Sequence, residues 1–454
     1  MDAFVIEGGR PVSGRFEVHG SKNAALPMLA AALLTDGPLE LSDVPKLQDI
    51  QNMLRLLAEL GVEIDEPDDG PGLRAGGRTI RTRVTDASQS HARYDIVRTM
   101  RAGVCVLGPM LARRGEARIS MPGGCAIGPR PIDLHLKGLA ALGASVSLSN
   151  GDVIAKAPAG GLRGATVFMG GPFGSTVLGT ANIMSAATLA RGRTVIESAA
   201  CEPEIVDLGR LLILMGARIS GLGTPRIVVD GVAELGGATR RIMPDRIEAG
   251  TYAMAAAMTG GELTIANWPV DALLGPFEML RAAGLEVELG EHEPLDTPGG
   301  DPIRTTAFVR RTERLRPIEL TTQPFPGFPT DLQAQALAML TLADGNSIIT
   351  EKIFPERFLH VAELMRMGAR IIRHGPTAVV SGVPKLVGAP VMASDLRASA
   401  GLVLAGLAAR GQTVVRRVYH LDRGYQRMDE YLTGLGAKIE RVKEEALEEL
   451  AVPV

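Results

Sequence analysis

Six glycines, each ending an apolar helical stretch and followed by a strand-like segment, most constrain how this 454-residue chain can fold. The phrase reads Leu60-Gly-Val-Glu-Ile in its first copy and Met367-Gly-Ala-Arg-Ile in its fifth. Helices commonly end at a glycine in the left-handed conformation, so each copy predicts a helix followed by a strand. The six glycines are Gly61, Gly143, Gly216, Gly284, Gly368 and Gly436.

A second glycine phrase, again a helix end followed by a strand, precedes each copy of the first. Two examples are Arg114-Gly-Glu-Ala-Arg-Ile and Arg410-Gly-Gln-Thr-Val-Val. The glycines of this phrase are Gly37, Gly115, Gly192, Gly261, Gly345 and Gly411. The two glycines of each pair lie 23 to 28 residues apart in all six copies. The spacing predicts six helix-strand-helix-strand units of roughly 65 to 85 residues each.

Six α/β units predict two similar domains of three units, because 454 residues exceed the size of one ordinary core. The midpoint falls near residues 241–245, just before the fourth unit. We therefore predict a first domain over 21–243, and a second built from 1–20 and 244–454. Two polar stretches rich in Gly, Pro, Asp and Arg, 65–94 and 291–315, are interpreted as surface excursions or hairpins.

The composition argues against several functional classes. A net charge of −3 and an aromatic content of 4% give no reason to expect a nucleic-acid or membrane-surface partner. The first residues carry acidic side chains where a signal peptide would be basic and then apolar, and no apolar stretch is long enough to span a bilayer. The three cysteines, Cys105, Cys125 and Cys201, are too far apart for a disulfide framework or a metal site. We expect a cytoplasmic protein without metal or cofactor.

Basic residues lie near the predicted start of four of the six first helices: Lys22, Arg101, Arg246 and Arg397. The amino end of a helix is already the positive pole, so an exposed cation there costs roughly 0.3–1 kcal/mol. A bound phosphate or carboxylate would reverse the sign of that effect. Ion pairing with neighbouring carboxylates such as Asp395 is the alternative for each residue; together the four indicate an anionic ligand.

A lone thiol, Cys125, lies in the stretch Met121-Pro-Gly-Gly-Cys-Ala-Ile-Gly-Pro-Arg-Pro-Ile-Asp133. Its three glycines and three prolines exclude a continuous helix or a central strand, so the segment is predicted to be a loop. A cysteine held there is exposed to chemistry, whereas most free cysteines are small buried hydrophobes.

Several motifs together give the chain a resemblance to a known family that extends nearly end to end. They are Ser21-Lys-Asn-Ala-Ala-Leu-Pro27, the Pro-Gly-Gly-Cys125 loop, Phe328-Pro-Thr-Asp-Leu-Gln-Ala-Gln335, Ser394-Asp-Leu-Arg-Ala-Ser399 and Tyr419-His-Leu-Asp-Arg-Gly-Tyr425. With these motifs the chain resembles the enolpyruvyl transferases, and among them those acting on UDP-N-acetylglucosamine.

The resemblance implies two similar domains of three repeated α/β units, an inside-out α/β barrel, with the substrates between the domains. The implied reaction moves enolpyruvyl from phosphoenolpyruvate to the 3-hydroxyl of UDP-N-acetylglucosamine and releases phosphate. It is the first committed step of peptidoglycan synthesis.

The resemblance also implies roles for particular residues. Asp331 would take the proton of the sugar hydroxyl, and Cys125 would protonate the methylene carbon of phosphoenolpyruvate, form an adduct with it and react with fosfomycin. The cationic cage for the phosphate and carboxylate of phosphoenolpyruvate would consist of Lys22, Arg130, Arg397 and Arg423.

Other positions match substrate contacts. Asn23 and Arg101 match contacts to the sugar nucleotide, and the segment Arg130, Pro131, Ile132, Asp133 and Leu134 matches the one beside the uridine. Ile353, Arg357 and Asp395 complete the implied substrate-binding set, with structural ion pairing as the alternative for the last two. The glycine-rich stretch 170–177 departs from the family pattern at a diphosphate contact.

Two other functions remain open at this point. The sister reaction on shikimate 3-phosphate shares donor and fold, but its enzymes do not use the thiol found here at Cys125. A catalytically silent relative could bind the sugar nucleotide as a sensor. The presence of Lys22, Cys125, Asp331 and Arg397 together argues against that second alternative.

Overall fold

The computed structural model describes residues 1–67, 77–121, 132–292, 301–311 and 313–445. These residues form two compact units. We call the described residues between 19 and 243 the N unit, and residues 1–18 with those from 244 to 445 the C unit. The division into a first domain over 21–243 and a second over 1–20 and 244–454 stays a prediction.

The described residues contain thirteen α-helices and twenty-six β-strands. The helices are α1 Lys22–Ala30, α2 Gln48–Glu59, α3 Tyr94–Val97, α4 Leu107–Arg114, α5 Asp133–Ala141, α6 Val177–Ala187, α7 Pro203–Leu214, α8 Arg246–Thr259, α9 Val270–Ala282, α10 Gln333–Leu340, α11 His360–Arg366, α12 Leu396–Ala408 and α13 Met428–Gly434. Short 3-10 turns span Ala31–Leu34, Arg101–Val106, Thr330–Leu332 and Val418–Arg423.

The strands of the chain up to residue 243 are β1 Asp2–Glu7, β2 Gly14–Glu17, β3 Leu39–Val44, β4 Val62–Asp65, β5 Arg78–Val84, β6 His91–Ala92, β7 Glu116–Ser120, β8 Ser145–Ser149, β9 Asp152–Lys156, β10 Thr166–Phe168, β11 Gly170–Gly171, β12 Gly174–Ser175, β13 Arg193–Glu197, β14 Arg218–Ser220, β15 Arg226–Asp230 and β16 Ala238–Arg241. The remaining strands are β17 Glu262–Pro269, β18 Leu285–Leu289, β19 Arg304–Arg311, β20 Glu319–Thr321, β21 Asn346–Thr350, β22 Arg370–His374, β23 Thr377–Ser381, β24 Pro390–Met392, β25 Gln412–Arg416 and β26 Lys438–Lys443.

Six four-stranded sheets, three in each unit, repeat one strand order. In the sheet β20-β21-β23-β22, the short strand β20 is parallel to β21, while β23 is antiparallel to both of its neighbours. The other five sheets are β16-β3-β5-β4, β6-β7-β9-β8, β10-β13-β15-β14, β2-β17-β19-β18 and β24-β25-β1-β26. The six predicted repeats are therefore present, each with two more strands than the glycine phrases indicate.

Three of these strands come from distant parts of the chain. β16 pairs in parallel with β3, with Ala238 opposite Leu39. β2 pairs in parallel with β17. β1 pairs antiparallel with β25, with Phe4 opposite Val415. The sixth repeat is thus closed by the first strand of the chain, and the first repeat by the last strand of the N unit.

All six glycines of the first phrase adopt the predicted left-handed conformation, with φ between 80° and 107°. In the second phrase the left-handed residue of the fourth copy is Gly260, and the prediction at Gly261 is wrong. Gly37 also lacks a positive φ. Both glycines are required by close backbone contacts, since a Cβ would lie 1.8 Å from the Val12 oxygen at Gly261 and 2.4 Å from the Gly237 nitrogen at Gly37.

The first helix of each repeat is buried on nearly all sides. In the C unit, α12 packs against α10 and α8, and almost every residue of the three is buried.

The two polar stretches interpreted as surface excursions or hairpins, 65–94 and 291–315, contain β5 and β19, which are inner strands of their sheets. Each of these strands pairs with the preceding one, as in the hairpin alternative.

In the part of the chain that the structure describes, no helix combines the length and the apolar character needed to cross a membrane.

Candidate active site

The C unit holds one partly exposed carboxylate between two buried guanidinium groups. Oδ1 of Asp331 accepts a hydrogen bond from Nη1 of Arg357 at 2.9 Å, and Oδ2 accepts one from Nη2 of Arg397 at 3.0 Å. The Asp331 side chain is 28% exposed, whereas those of the two arginines are 6% and 2% exposed. A carboxylate that is partly exposed can accept a hydrogen bond from a substrate hydroxyl.

Local structure at two helix starts positions these groups. Asp331 lies in the 3-10 turn that leads into α10, and Arg397 is the second residue of α12. Asp395 caps α12, because its Oδ1 accepts from the backbone nitrogens of Arg397 at 3.0 Å and Ala398 at 3.1 Å. This cap fixes the backbone at the start of α12, where Arg397 lies.

Arg397 stays charged in a buried setting. Its guanidinium carbon lies 5.4 Å from the centre of the Tyr425 ring, a cation–π distance. Burial by itself favours the neutral form, but the charge of Asp331, with Tyr425 and Asp245, raises the pKa of Arg397 above its usual value. Within the described residues, Nη1 of Arg397 is buried without a hydrogen-bond partner. It is a donor suited to an incoming carboxylate or phosphate oxygen.

Two histidines, His360 and His420, lie near Asp395 and near arginine side chains. His360 is fully buried, and burial together with the charge of Arg357 lowers its pKa to about 4, although Asp395 acts in the opposite direction. Burial and the charge of Arg423 lower the pKa of His420. Both imidazoles are therefore neutral near pH 7. Because the charge of Arg423 helps to lower the pKa of His420, the half-buried Arg423 lies near this histidine.

In the N unit, Lys22 is the first residue of α1 and is capped by the preceding Ser21, whose Oγ accepts from the Ala24 nitrogen at 3.3 Å. Nζ of Lys22 lies 3.1 Å from Oδ2 of Asp49, and both side chains are more than 90% buried. Asn23 follows at a half-buried position. The cation at this helix start thus has a carboxylate contact on α2 that the sequence did not indicate.

Arg101 begins the 3-10 turn that continues into α4, and this turn packs against α1. Arg101 is half-buried, and its charge acts on the thiol of Cys105. Burial nevertheless raises the pKa of Cys105 to about 12, so this thiol is unreactive in the folded protein. Burial and the neighbouring Glu202 also raise the pKa of Cys201.

The segment matched to the uridine site is described from residue 132 onward. Ile132 is buried, Asp133 is exposed as the first residue of α5, and Leu134 is half-buried. Leu134 lies beside the hairpin of β11 and β12, because a Cβ on Gly171 would be 3.3 Å from Leu134 Cδ1. The glycine-rich departure from the family pattern is thus a short hairpin packed against this segment.

The same hairpin leads into α6, where Thr176 caps the helix by accepting from the Gly179 nitrogen at 3.2 Å. One turn later, Asn182 joins three elements: its Nδ2 donates to the Val104 carbonyl and lies 3.0 Å from His135 Nδ1 on α5, while its Oδ1 accepts from the Gly108 nitrogen. No helix-start or glycine pattern in the sequence indicates Asn182.

Three predicted site residues, Cys125, Arg130 and Pro131, lie outside the described residues. Ile353 is half-buried and lies four residues before Arg357, in the segment that follows β21. No group of three or more potential metal ligands occurs among the described residues. Sequence reasoning missed Asp49 on α2 and Asn182 on α6, because neither belongs to the basic helix starts, the glycine phrases or the family motifs.

Comparison with known proteins gives three results in agreement. Residues 6–432 match the family model for EPSP synthase (3-phosphoshikimate 1-carboxyvinyltransferase). A protein of Rhodospirillum centenum named UDP-N-acetylglucosamine 1-carboxyvinyltransferase is 51% identical over 98% of this chain and 100% of its own length. One of Dinoroseobacter shibae with the same name is 53% identical with the same coverage.

Among solved structures, the enolpyruvyl transferase NikO from Streptomyces tendae aligns with a TM-score of 0.84 at 23% sequence identity. The alignment covers 97% of this chain and 99% of that one. At this identity the likeness concerns the fold, and it confirms the predicted α/β architecture of repeated units.

Proposed function

This chain belongs to the EPSP synthase family, and on that premise we propose that it transfers enolpyruvyl from phosphoenolpyruvate to the 3-hydroxyl of UDP-N-acetylglucosamine, releasing phosphate. It is a transferase of the first committed step of peptidoglycan synthesis. The choice of acceptor depends on one observation. Relatives 51% and 53% identical over 98% of the chain bear the name of the UDP-N-acetylglucosamine enzyme, although the family model is described by the shikimate reaction.

The first step is an addition. The sugar hydroxyl oxygen bonds to C2 of phosphoenolpyruvate, the hydroxyl proton passes to a base, and C3 receives a proton from an acid. Asp331 is the base in this proposal, since its carboxylate is partly exposed beside the two arginine contacts. Cys125 is the acid, and its role depends on the family resemblance.

The second step is an elimination. The tetrahedral intermediate loses phosphate from C2 and a proton from C3, which regenerates the double bond. Lys22, Arg130, Arg397 and Arg423 bind the phosphate and carboxylate groups and stabilise the charge that develops on the leaving phosphate. The unused Nη1 donor of Arg397 supports this assignment.

The remaining substrate contacts are assigned by the family resemblance. Asn23, Arg101 and the segment 130–134 bind the sugar nucleotide, while Ile353, Arg357 and Asp395 support the cage. Among the described residues Cys105 and Cys201 are free thiols, which fits a reducing environment. We accordingly place the protein in the cytoplasm.

The proposal is tested by phosphate release with purified protein. Phosphate should appear only when phosphoenolpyruvate and UDP-N-acetylglucosamine are both present. Equal release with shikimate 3-phosphate as the acceptor would favour the sister reaction. Binding of the sugar nucleotide without release of phosphate would instead favour a sensor.

A further inference from the structure

A completely buried carboxylate lies next to the Asp331 site without forming part of it. Glu351 has no exposed surface, and it follows the last residue of β21. Its Oε1 accepts from Thr322 Oγ1 at 2.7 Å and from the backbone nitrogens of Ile353 at 2.8 Å and Phe354 at 2.9 Å. Its Oε2 accepts from Thr330 Oγ1 at 2.9 Å. Four donors therefore converge on one buried acceptor.

Both threonine hydroxyls that donate to Glu351 also accept a hydrogen bond. The backbone nitrogen of Lys352 donates to Thr322 Oγ1 at 2.9 Å, and Nη1 of Arg357 donates to Thr330 Oγ1 at 3.0 Å. Each hydroxyl has one proton and two lone pairs, so it can donate to Glu351 and accept from the nitrogen at the same time. Glu351 is therefore the terminal acceptor of both chains of hydrogen bonds.

One of these chains reaches Asp331. Nη1 of Arg357 carries two hydrogens, and it is within hydrogen-bond distance of both Thr330 Oγ1 and Asp331 Oδ1, at 3.0 and 2.9 Å. Donation to Thr330 fixes the rotation of the guanidinium group, and the second hydrogen then points at the carboxylate. Because Thr330 gives its one proton to Glu351, its hydroxyl is held in a fixed rotation, and one of its lone pairs accepts from Arg357 Nη1.

We propose that Glu351 and Thr330 are positioning residues that aim Arg357 at Asp331 and so set the proton affinity of this carboxylate. The proposal concerns the base of the reaction proposed above and rests on that function. Glu351 also fixes the backbone at Ile353 and Phe354, which leads to Arg357. The Glu351 carboxylate thus holds both the Thr330 hydroxyl and the backbone segment that leads to Arg357.

The matched pair Thr330→Val and Thr330→Ser tests the chain of hydrogen bonds. Valine keeps the shape of the side chain and removes the hydroxyl, whereas serine keeps the hydroxyl. We expect Thr330→Val to lower kcat by about tenfold to a hundredfold, the scale of effects caused by a misplaced catalytic group. The KM for UDP-N-acetylglucosamine should be unchanged, and Thr330→Ser should restore kcat.

A second readout does not depend on turnover. The protein is labelled with ¹³C at the Asp side-chain carboxyl carbons, and the Asp331 signal is identified by its loss in Asp331→Asn. Weakening the Arg357 contact removes stabilisation of the ionised form, so Thr330→Val should raise the pKa of Asp331. The acidic limb of the pH profile of kcat should move to higher pH by the same amount.

Thr377→Val, on β23, is the control for loss of a threonine hydroxyl. Thr377 Oγ1 lies 3.1 Å from Thr350 Oγ1, a contact that is not part of the hydrogen bonds around Glu351, so this change should leave kcat and the pKa of Asp331 unaltered. Glu351→Gln should lower kcat and raise the pKa of Asp331 as Thr330→Val does. The amide nitrogen of glutamine cannot accept a hydrogen bond, so one of the converging donors loses its acceptor.

The outcomes separate this proposal from the function on which it rests. An unaltered or lowered pKa of Asp331 in Thr330→Val overturns the positioning role, whatever the activity. Equal kcat values for Thr330→Val and Thr330→Ser do the same. Wild-type protein that releases no phosphate overturns the proposed function, and the NMR comparison still decides whether Thr330 sets the proton affinity of Asp331.

Discussion

The change Asp207→Asn is predicted to destabilise the N unit strongly, because it removes one charge of a buried ion pair. Oδ1 of Asp207 accepts from Arg240 Nε at 2.8 Å and Nη2 at 2.5 Å, and the two side chains are 1% and 7% exposed. Oδ2 accepts from the Met243 nitrogen at 3.0 Å. The Met243 carbonyl in turn accepts from the nitrogen of Ser21, the cap of α1. The pair therefore supports the backbone next to Lys22.

The expected magnitude follows from burial. Neutralising one member of a buried pair costs about 3–5 kcal/mol, because the other charge stays in a poorly solvated site. The matched control is Asp230→Asn, which removes a bidentate contact to Arg193 with N–O distances of 2.7 and 2.9 Å. Those two side chains are 42% and 66% exposed, so solvent screens their charges and the pair contributes little to stability.

Thermal unfolding of the full-length variants, followed by calorimetry, measures the difference. In a unit of this size 1 kcal/mol corresponds to about 2–4 °C. The transition of the N unit should fall by roughly 6–20 °C in Asp207→Asn and by much less in Asp230→Asn. Equal shifts in the two variants would refute the argument that burial, and not contact geometry, determines the cost.

Three further predictions concern the site. Asp331→Asn should reduce phosphate release by about 10²–10⁴-fold, and residual activity near wild type would exclude Asp331 as the base. Cys125→Asp should retain transfer but escape alkylation by fosfomycin; mass spectrometry of the wild type should find the adduct at Cys125 and not at Cys105, whose pKa of about 12 keeps it protonated. Burial lowers the pKa of His360 to about 4, so as pH falls from 6.5 to 4 the unfolded chain takes up the proton first, and stability should fall by about 3 kcal/mol over this window. Urea titrations at several pH values should give a flatter profile for His360→Gln, and parallel profiles would contradict the assigned environment.

Much of the fold could be predicted because it is encoded locally. Left-handed glycines at helix ends repeat in step with the helices, and Ser21, Thr176, Asp245 and Asp395 cap the helices that the sequence predicts. The pairings of β16 with β3 and of β1 with β25 could not be predicted, since they join residues about 200 and 400 positions apart that share no local pattern.

In the candidate site, too, some residues could be identified from the sequence and others only from the structure. Motif resemblance identified Asp331, Arg357 and Arg397, and the structure places the three side chains in one cluster. Glu351 lies in none of these motifs, and Thr330, although it is inside one, received no role from the sequence. Their importance arises from the direction of hydrogen bonds between separate segments, which only the folded chain reveals.

Identification of the product tests the central claim most directly. The protein is incubated with ¹³C-labelled phosphoenolpyruvate and an equal mixture of UDP-N-acetylglucosamine and shikimate 3-phosphate, and the products are analysed by NMR. We predict that the labelled enolpyruvyl group is attached through an enol ether to the 3-oxygen of the sugar nucleotide, with one phosphate released per product. Label on the shikimate ring, or phosphate released without a labelled sugar nucleotide, would contradict the account.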